Sequence, residues 1–264
     1  MAVSMGMDTT IGSRIPLCAR RPLLVRAFDY AKGETTGRHR HDAAQLVYAV
    51  SGTMTVMAEQ GLWVVPSLRA VWIPAGLMHE VVVQSPVSMR TAYLYSGLAA
   101  ALPDSCVVVS VSPLLRELLV EASGFPESYR YEARCRLIID LLLEELRVAD
   151  QLPLSLPEPR DARLRRVTES LRRAPGDPRS LEAWADMAGA SKRTLARLFE
   201  RETGMSFRHW RQQARLLIAL QKLANGEAVS AVAMDLGYAT PSAFTQMFRQ
   251  ALGVVPSAYF KDEA

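Results

Sequence analysis

From Leu23 to about Val109 the apolar positions come in short runs, LLVRAF, QLVYAV, TMTVMA, LWVV, VWIP, EVVV, MRTAYLY and CVVV, rich in β-branched and aromatic residues. Turn formers separate them at Lys32-Gly33, Ser51-Gly52, Gln60-Gly61 and Ala75-Gly76. Short strands at roughly 8–12 residue intervals predict an all-β sandwich or barrel. Past Val109 the period becomes helical. Ser112 or Pro113 opens a helix that reaches about Ala122 and stops at Ser123-Gly124-Phe125-Pro126. A second helix is expected from Glu127 or Ser128 to about Ala149, with Leu137, Ile138, Leu141, Leu142 and Leu146 forming an apolar stripe. Packing on the barrel and pairing in a dimer seam satisfy that stripe equally, and both readings stay open.

The stretch Gln151 to Pro159 holds three prolines and resists helix and strand alike, so it reads as a linker. From Asp161 onward the pattern is helical almost throughout. The expected division is 1–111 for a sensor, 112–150 for a helical dimerisation segment, 151–160 for the linker and 161–264 for a helical domain.

Composition sharpens this division. At 264 residues the chain exceeds a typical single domain of about 100–200 residues. Its 49% hydrophobic and 22% charged residues are those of a folded protein and exclude wholesale disorder. The richest apolar stretch, LIIDLLLEEL, is broken by Asp140, Glu144 and Glu145, far short of the ~20 apolar residues of a spanning helix. The opening MAVSMGMDTTIG shows no secretory signal, so a cytoplasmic location is expected. Cys18, Cys106 and Cys135 are scattered and odd in number, which indicates neither a disulfide framework nor a thiolate zinc site. The net charge of +4 is unevenly spread: residues 1–159 carry 14 basic and 16 acidic side chains, hence −2, and residues 160–264 carry 17 and 11, hence +6. A basic helical module beside a near-neutral one fits a polyanion reader.

The basic half repeats a spelling. Phe199-x4-Gly204-x2-Phe207-x2-Trp210 returns forty-nine residues later as Phe248-x4-Gly253-x2-Pro256-x2-Tyr259. Each copy closes a possible helix-turn-helix, over 181–200 and 229–250. In the first, Ala185 is small where two short helices cross and Gly189 lies in the turn. Leu195, Leu198 and Phe199 give the second helix a buried stripe, Ser191 is its N-cap, and Lys192, Arg193, Ala196 and Arg197 face outward. Arginine pairs bidentately with guanine in the major groove, so Arg193 and Arg197 are expected on base edges, and Lys192 and Arg201 on phosphates. The second unit has one more residue between its glycine, Gly237, and its matching apolar position, Phe244. Thr240-Pro241 starts its reader helix, and Ser242, Ala243, Thr245, Gln246 and Arg249 face outward. The candidate DNA-binding set is therefore Ser191, Lys192, Arg193, Ala196 and Arg197, with Thr240, Pro241, Ser242, Ala243, Thr245, Gln246 and Arg249. Between the units, Phe207 to Ala224 reads as one long helix ending at Asn225-Gly226, able to space two readers about 34 Å apart. His209 on it reads as structural or phosphate-facing.

On these residues, above all Leu195-x2-Leu198-Phe199-x4-Gly204 and Gly237-Tyr238-x5-Phe244-x3-Phe248-x4-Gly253-x2-Pro256-x2-Tyr259, the region from about Leu164 to Tyr259 resembles the DNA-binding domain of the AraC/XylS transcription regulators. The resemblance implies seven helices, two helix-turn-helix subdomains joined by a long helix, and control of promoters. It also implies DNA contact by the outward residues of both readers. Pro241 and Ala243 stand where longer polar side chains make stronger base contacts, so specificity is expected chiefly from the first unit.

The N-terminal half carries GRHRHDAAQLVYAVSG and IPAGLMHEVVV, which resemble the two cupin motifs. If the first is extended throughout, His39, His41 and Gln45 share a face by parity, and His79 arrives from another strand. Three imidazoles and an oxygen donor can hold one divalent transition metal, Zn, Fe, Ni or Mn. Gln45 stands where metal-binding cupins carry Glu, and a neutral amide is a weaker ligand than a carboxylate. The expected fold class is thus α+β with two domains: an N-terminal cupin-like β-barrel followed by helices, and a C-terminal all-α domain with two helix-turn-helix motifs. The expected function is a DNA-binding regulator that answers a small-molecule effector, with no catalytic residue assigned. Its expected partners are double-stranded promoter DNA, the effector, a second copy of the chain and RNA polymerase. The alternative is a metal-dependent cupin oxygenase or isomerase with a helical appendage, against which Gln45 counts.

Overall fold

The computed structural model describes residues 15–126 and 128–259; the N-terminal stretch read above for a secretory signal lies outside them. Strands β1 (Leu23–Tyr30), β2 (Ala44–Ser51), β3 (Met54–Ala58), β4 (Gly61–Val65), β5 (Arg69–Ile73), β6 (His79–Val83) and β7 (Val87–Leu94) follow the apolar runs. A short α1 (Ser96–Ala99) precedes β8 (Val107–Ser110), α2 (Pro113–Ser123) and α3 (Ala133–Val148). Then come β9 (Gln151–Leu152), β10 (Ser155–Pro157) and helices α4 (Ala162–Arg173), α5 (Leu181–Ala188), α6 (Lys192–Thr203), α7 (Phe207–Ala224), α8 (Val229–Asp235), α9 (Pro241–Leu252) and α10 (Pro256–Tyr259). Two compact units result, one from the chain up to Ala58 with Val65–Leu152, the other from Glu59–Val64 with the chain from Pro153 onward.

The first unit is built on an antiparallel sheet in the order β1-β7-β2-β5-β8-β9, with β3 and β6 paired separately. Strand β2 lies between β7 and β5 and is buried from Ala44 to Ala49, on both faces. Alternation assigns the faces. Leu46 and Tyr48 share one core with Leu115, Leu119, Ile139 and Leu142 of α2 and α3, which leaves Gln45 and Val47 for the opposite face. The Tyr129 hydroxyl ties the connection between these helices to β1, accepting from the Leu23 amide at 2.8 Å and donating to the Leu23 carbonyl at 2.6 Å.

In the second unit α4 to α10 supply the seven helices that the resemblance implies. Each reader begins on a side-chain cap: Ser191 accepts from the Thr194 amide at 3.1 Å and Thr240 from the Ala243 amide at 3.2 Å. The repeated spelling is a packing device. Gly204 and Gly253 end α6 and α9 in the left-handed region, at φ 68° and 79°, where a side chain is strained. The chain turns there and returns an aromatic ring six residues later, Trp210 against Phe199 at 5.8 Å and Tyr259 against Phe248 at 5.5 Å.

Three expectations need correction. The long helix before the linker starts at Ala133 rather than at Ser128, the other expected start, Glu127, lying outside the described residues, because Tyr129 is drawn to Leu23 and the Tyr131 amide to the Arg20 carbonyl. Its stripe is also divided: Ile138, Leu142 and Leu146 are buried, whereas Leu137 is 70% and Leu141 42% exposed. The expected linker is not a bare tether. Ser155–Pro157 pairs antiparallel with β4, Pro157 opposite Gly61, and β10 rests on α6 and α7. Proline is tolerated there because three residues at a strand edge need few amide donors.

Candidate functional site

The structure leaves the predicted outward residues of both helices exposed or half-buried. On α6, Leu195, Leu198 and Phe199 are buried, Ser191, Lys192, Arg193 and Arg197 are exposed, and Ala196 is half-buried. On α9, Phe244, Met247 and Phe248 are buried, Thr240, Pro241, Ser242, Ala243, Gln246 and Arg249 are exposed, and Thr245 is half-buried. Each cap satisfies one first-turn amide, and the exposed N-terminus keeps its remaining amides and its positive dipole end toward solvent. The Ser191 and Thr240 hydroxyls serve the helix itself as caps. Lys192 is not a lone cation: its ammonium forms an ion pair with Glu182 on α5, and that pairing holds the Glu182 carboxyl down at about 2. Arg193 and Arg197, by contrast, are exposed and make no ion pair among the described residues, which leaves their guanidinium donors facing solvent.

Sequence reading missed a second basic group. Arg208, Arg211 and Arg215 fall at helical spacing along α7 and border a cleft of about 660 Å³ whose other wall is Ala243, Gln246 and Gln250 of α9. The i, i+3, i+7 spacing of arginines in FRHWRQQAR is the signal that would have found them. His209 is exposed at the start of α7 and its amide donates to the Ser206 cap at 3.3 Å.

In the first unit His39, His41 and His79 converge, and one ligand atom from each lies within 4.8 Å of the others. Parity alone does not explain this, because residues 42 and 43 bend before β2 begins and break the alternation between His41 and Gln45. The cause is a backbone bridge: His39 and His79 exchange amide-to-carbonyl bonds at 2.9 and 2.8 Å, which sets their rings 4.4 Å apart. His41 then packs 4.8 Å from His39 and 5.0 Å from Tyr93. The Nδ1 atoms of His39 and His79 lie 2.8 and 2.9 Å from the carbonyls of Gly37 and Leu77, which fixes Nδ1–H tautomers and leaves Nε2 as the lone-pair atom on each. Burial, aided by the neighbouring imidazoles, lowers the His79 pKa to about 4, so it is neutral and able to ligate. Its Nε2 is buried with no hydrogen-bond partner among the described residues. Such an orphaned acceptor beside two other imidazoles fits a cation. Gln45 is buried on β2, donates to Thr91 Oγ1 at 2.8 Å, and has its Oε1 buried without a hydrogen-bond partner among the described residues.

Comparisons with known proteins match both halves of the chain. An AraC-like ligand binding domain model matches residues 21–157 and a helix-turn-helix domain model residues 184–262. The HTH-type transcriptional regulator NimR of Escherichia coli is 37% identical over 225 residues, 85% of this chain and 82% of that protein. RipA of Corynebacterium glutamicum, also an HTH-type transcriptional regulator, is 40% identical over 111 residues, 42% of this chain and 33% of its own length. The structure of ToxT from Vibrio cholerae aligns at TM-score 0.39 and 11% identity, over 90% of this chain and 98% of that one.

Proposed function

This chain belongs to the AraC family of transcription regulators, and on that premise we propose that it is a sequence-specific, effector-responsive regulator whose base readout comes chiefly from α6. Arg193 and Arg197 take guanine edges in one major groove. Thr245 and Gln246 of α9 make softer contacts in the next, where Pro241, Ser242 and Ala243 set register, while Arg249 takes a phosphate. The observation that carries this reading is the pair of capped reader helices, each with a buried apolar stripe and an exposed polar face. The test is binding of the intact protein to the duplex upstream of its own gene and to scrambled duplex of equal length. A folded protein without preference at moderate salt overturns it.

In the first unit His39, His41 and His79 hold one divalent transition metal, Zn, Fe, Ni or Mn, with the Gln45 amide as an accessory oxygen donor. The support is the convergent imidazoles and the orphaned Nε2 of His79. A bound metal would supply a Lewis-acidic point for an oxygen or nitrogen donor of the small-molecule effector. Two copies of the chain pair through the exposed face of α3, where Leu137, Leu141 and Val148 are 70%, 42% and 66% exposed. The effector shifts the population of dimer arrangements and so the half-sites that two copies occupy together. RNA polymerase is a further partner of the DNA-bound form, and the protein works in the cytoplasm with the DNA it reads.

The rival reading, a cupin oxygenase or isomerase, is supported only by the histidine cluster, while the curated relatives named above are transcription regulators. A turnover screen of metal-loaded protein separates the two, since sustained turnover with a small-molecule substrate favours the enzyme.

A further inference from the structure

The cleft between α7 and α9 is positive without being neutralised. Arg211 donates to the carbonyls of Asp177 and Arg179, and Arg215 Nε donates to the Pro175 carbonyl at 2.9 Å. Carbonyls orient a guanidinium but leave its charge in place. The Asp177 carboxylate beside them is taken by Arg179 at 2.7 Å. Among the described residues, no carboxylate bridges Arg208, Arg211 or Arg215. Arg208 is exposed, and the cleft wall opposite is made by neutral side chains of α9, with Gln246 and Gln250 able to donate hydrogen bonds.

The cleft is also preformed. Its floor includes Gly176 and Gly237, whose backbones touch so closely that a Cβ on Gly237 would lie 2.7 Å from the Gly176 carbonyl oxygen. With the guanidinium of Arg215 5.3 Å over the ring of Tyr238, the arginines cannot collapse into this space without breaking those contacts.

The geometry points to a seat for a DNA backbone phosphate from the strand that runs between the two major grooves. This inference rests on the proposal that α6 and α9 read successive grooves. Two such grooves on one face of a duplex are separated by a minor groove and its two backbone ridges. The helix that joins the readers faces that ridge. Ala243 and Gln246 belong both to the reading face of α9 and to the cleft wall, so a duplex docked on α9 brings its flanking phosphates to Arg208. Arg211 and Arg215 add field from behind, and Gln246 reaches either the groove edge or the phosphate. The contact is blind to base identity and fixes the register of the second reader on DNA that its small side chains read poorly.

The test uses full-length wild type, Arg208→Ala and Arg208→Lys on a selected binding duplex and on scrambled duplex across salt. The expected slope of log affinity against log salt is shallower by about 0.9 in Arg208→Ala, with the preference ratio unchanged and the lysine variant close to wild type. Ethylation of single phosphates then locates the contact. One modified position between the two groove sites should block wild type strongly and leave Arg208→Ala little further weakened. An unchanged slope, or a variant as sensitive as wild type to ethylation at every position, overturns the cleft assignment while leaving the reader helices standing. Wild type that binds no duplex at all overturns both.

Discussion

Gly176, in the turn before the first helix-turn-helix, and Gly237, in the turn of the second, meet backbone to backbone: a Cβ on Gly176 would sit 2.6 Å from the Asp235 carbonyl oxygen, and one on Gly237 2.7 Å from the Gly176 carbonyl oxygen. No side chain fits between the two turns. The spacing of the readers is thereby set by direct contact as well as by the connecting helix. Gly176→Ala is expected to destabilise the second unit by about 1–3 kcal/mol, as overpacking of a closed contact does. Chemical denaturation of the intact protein measures this, and a variant as stable as wild type shows the turns can part at no cost.

Arg193→Ala and Arg197→Ala should each cost roughly 1–3 kcal/mol on a preferred duplex and relax the choice of base. Equal losses on preferred and scrambled DNA would mean that the two arginines touch phosphates instead.

The ion pair with Glu182 offsets the charge of Lys192, which the sequence pattern expects on a phosphate. Glu182→Gln should therefore raise affinity for all duplexes alike and steepen the salt dependence, since it frees one positive charge beside the reader. Fluorescence anisotropy at several salt concentrations reads this directly. A loss of affinity would show that Glu182 positions Lys192 instead of masking it.

Metal-free protein should take up about one zinc or nickel ion per chain, and saturation to 100 times the dissociation constant should add about 2.7 kcal/mol of stability to the first unit. His79→Ala removes both the uptake and the stabilisation. Elemental analysis and thermal melts with and without a chelator check the pair of statements, and wild-type protein that never acquires metal sinks the histidine assignment.

Leu137 is 70% exposed on α3 and clear of the core beneath that helix. Leu137→Glu should weaken self-association at least about tenfold, or 1.4 kcal/mol, while leaving the fold intact. Sedimentation at micromolar concentration distinguishes the monomer from the dimer, and an unaltered dimer places the interface elsewhere.

The sequence by itself determined the local elements and the polarity of the readers. Short apolar runs became β1 to β8, the Ser191 and Thr240 caps start α6 and α9 where propensity places them, and Phe207–Ala224 is one helix from end to end. These are properties of a few consecutive residues, so neighbours in the chain carry the information. Even the doubled spelling is local: a left-handed glycine and an aromatic six residues on close each subdomain over its own short span. Tertiary structure decided everything that depends on partners far apart in sequence. It split the α3 stripe into buried and exposed halves, drew the proline-rich stretch into a strand beside residues 59–64, and gave Lys192 its carboxylate from another helix. It brought His39 onto His79 through a backbone bridge across forty residues of chain, and set the arginines of α7 opposite α9. The reason is physical: side-chain period reveals which face of an element is apolar, but only packing against other elements settles what that face, and each charge on it, will meet.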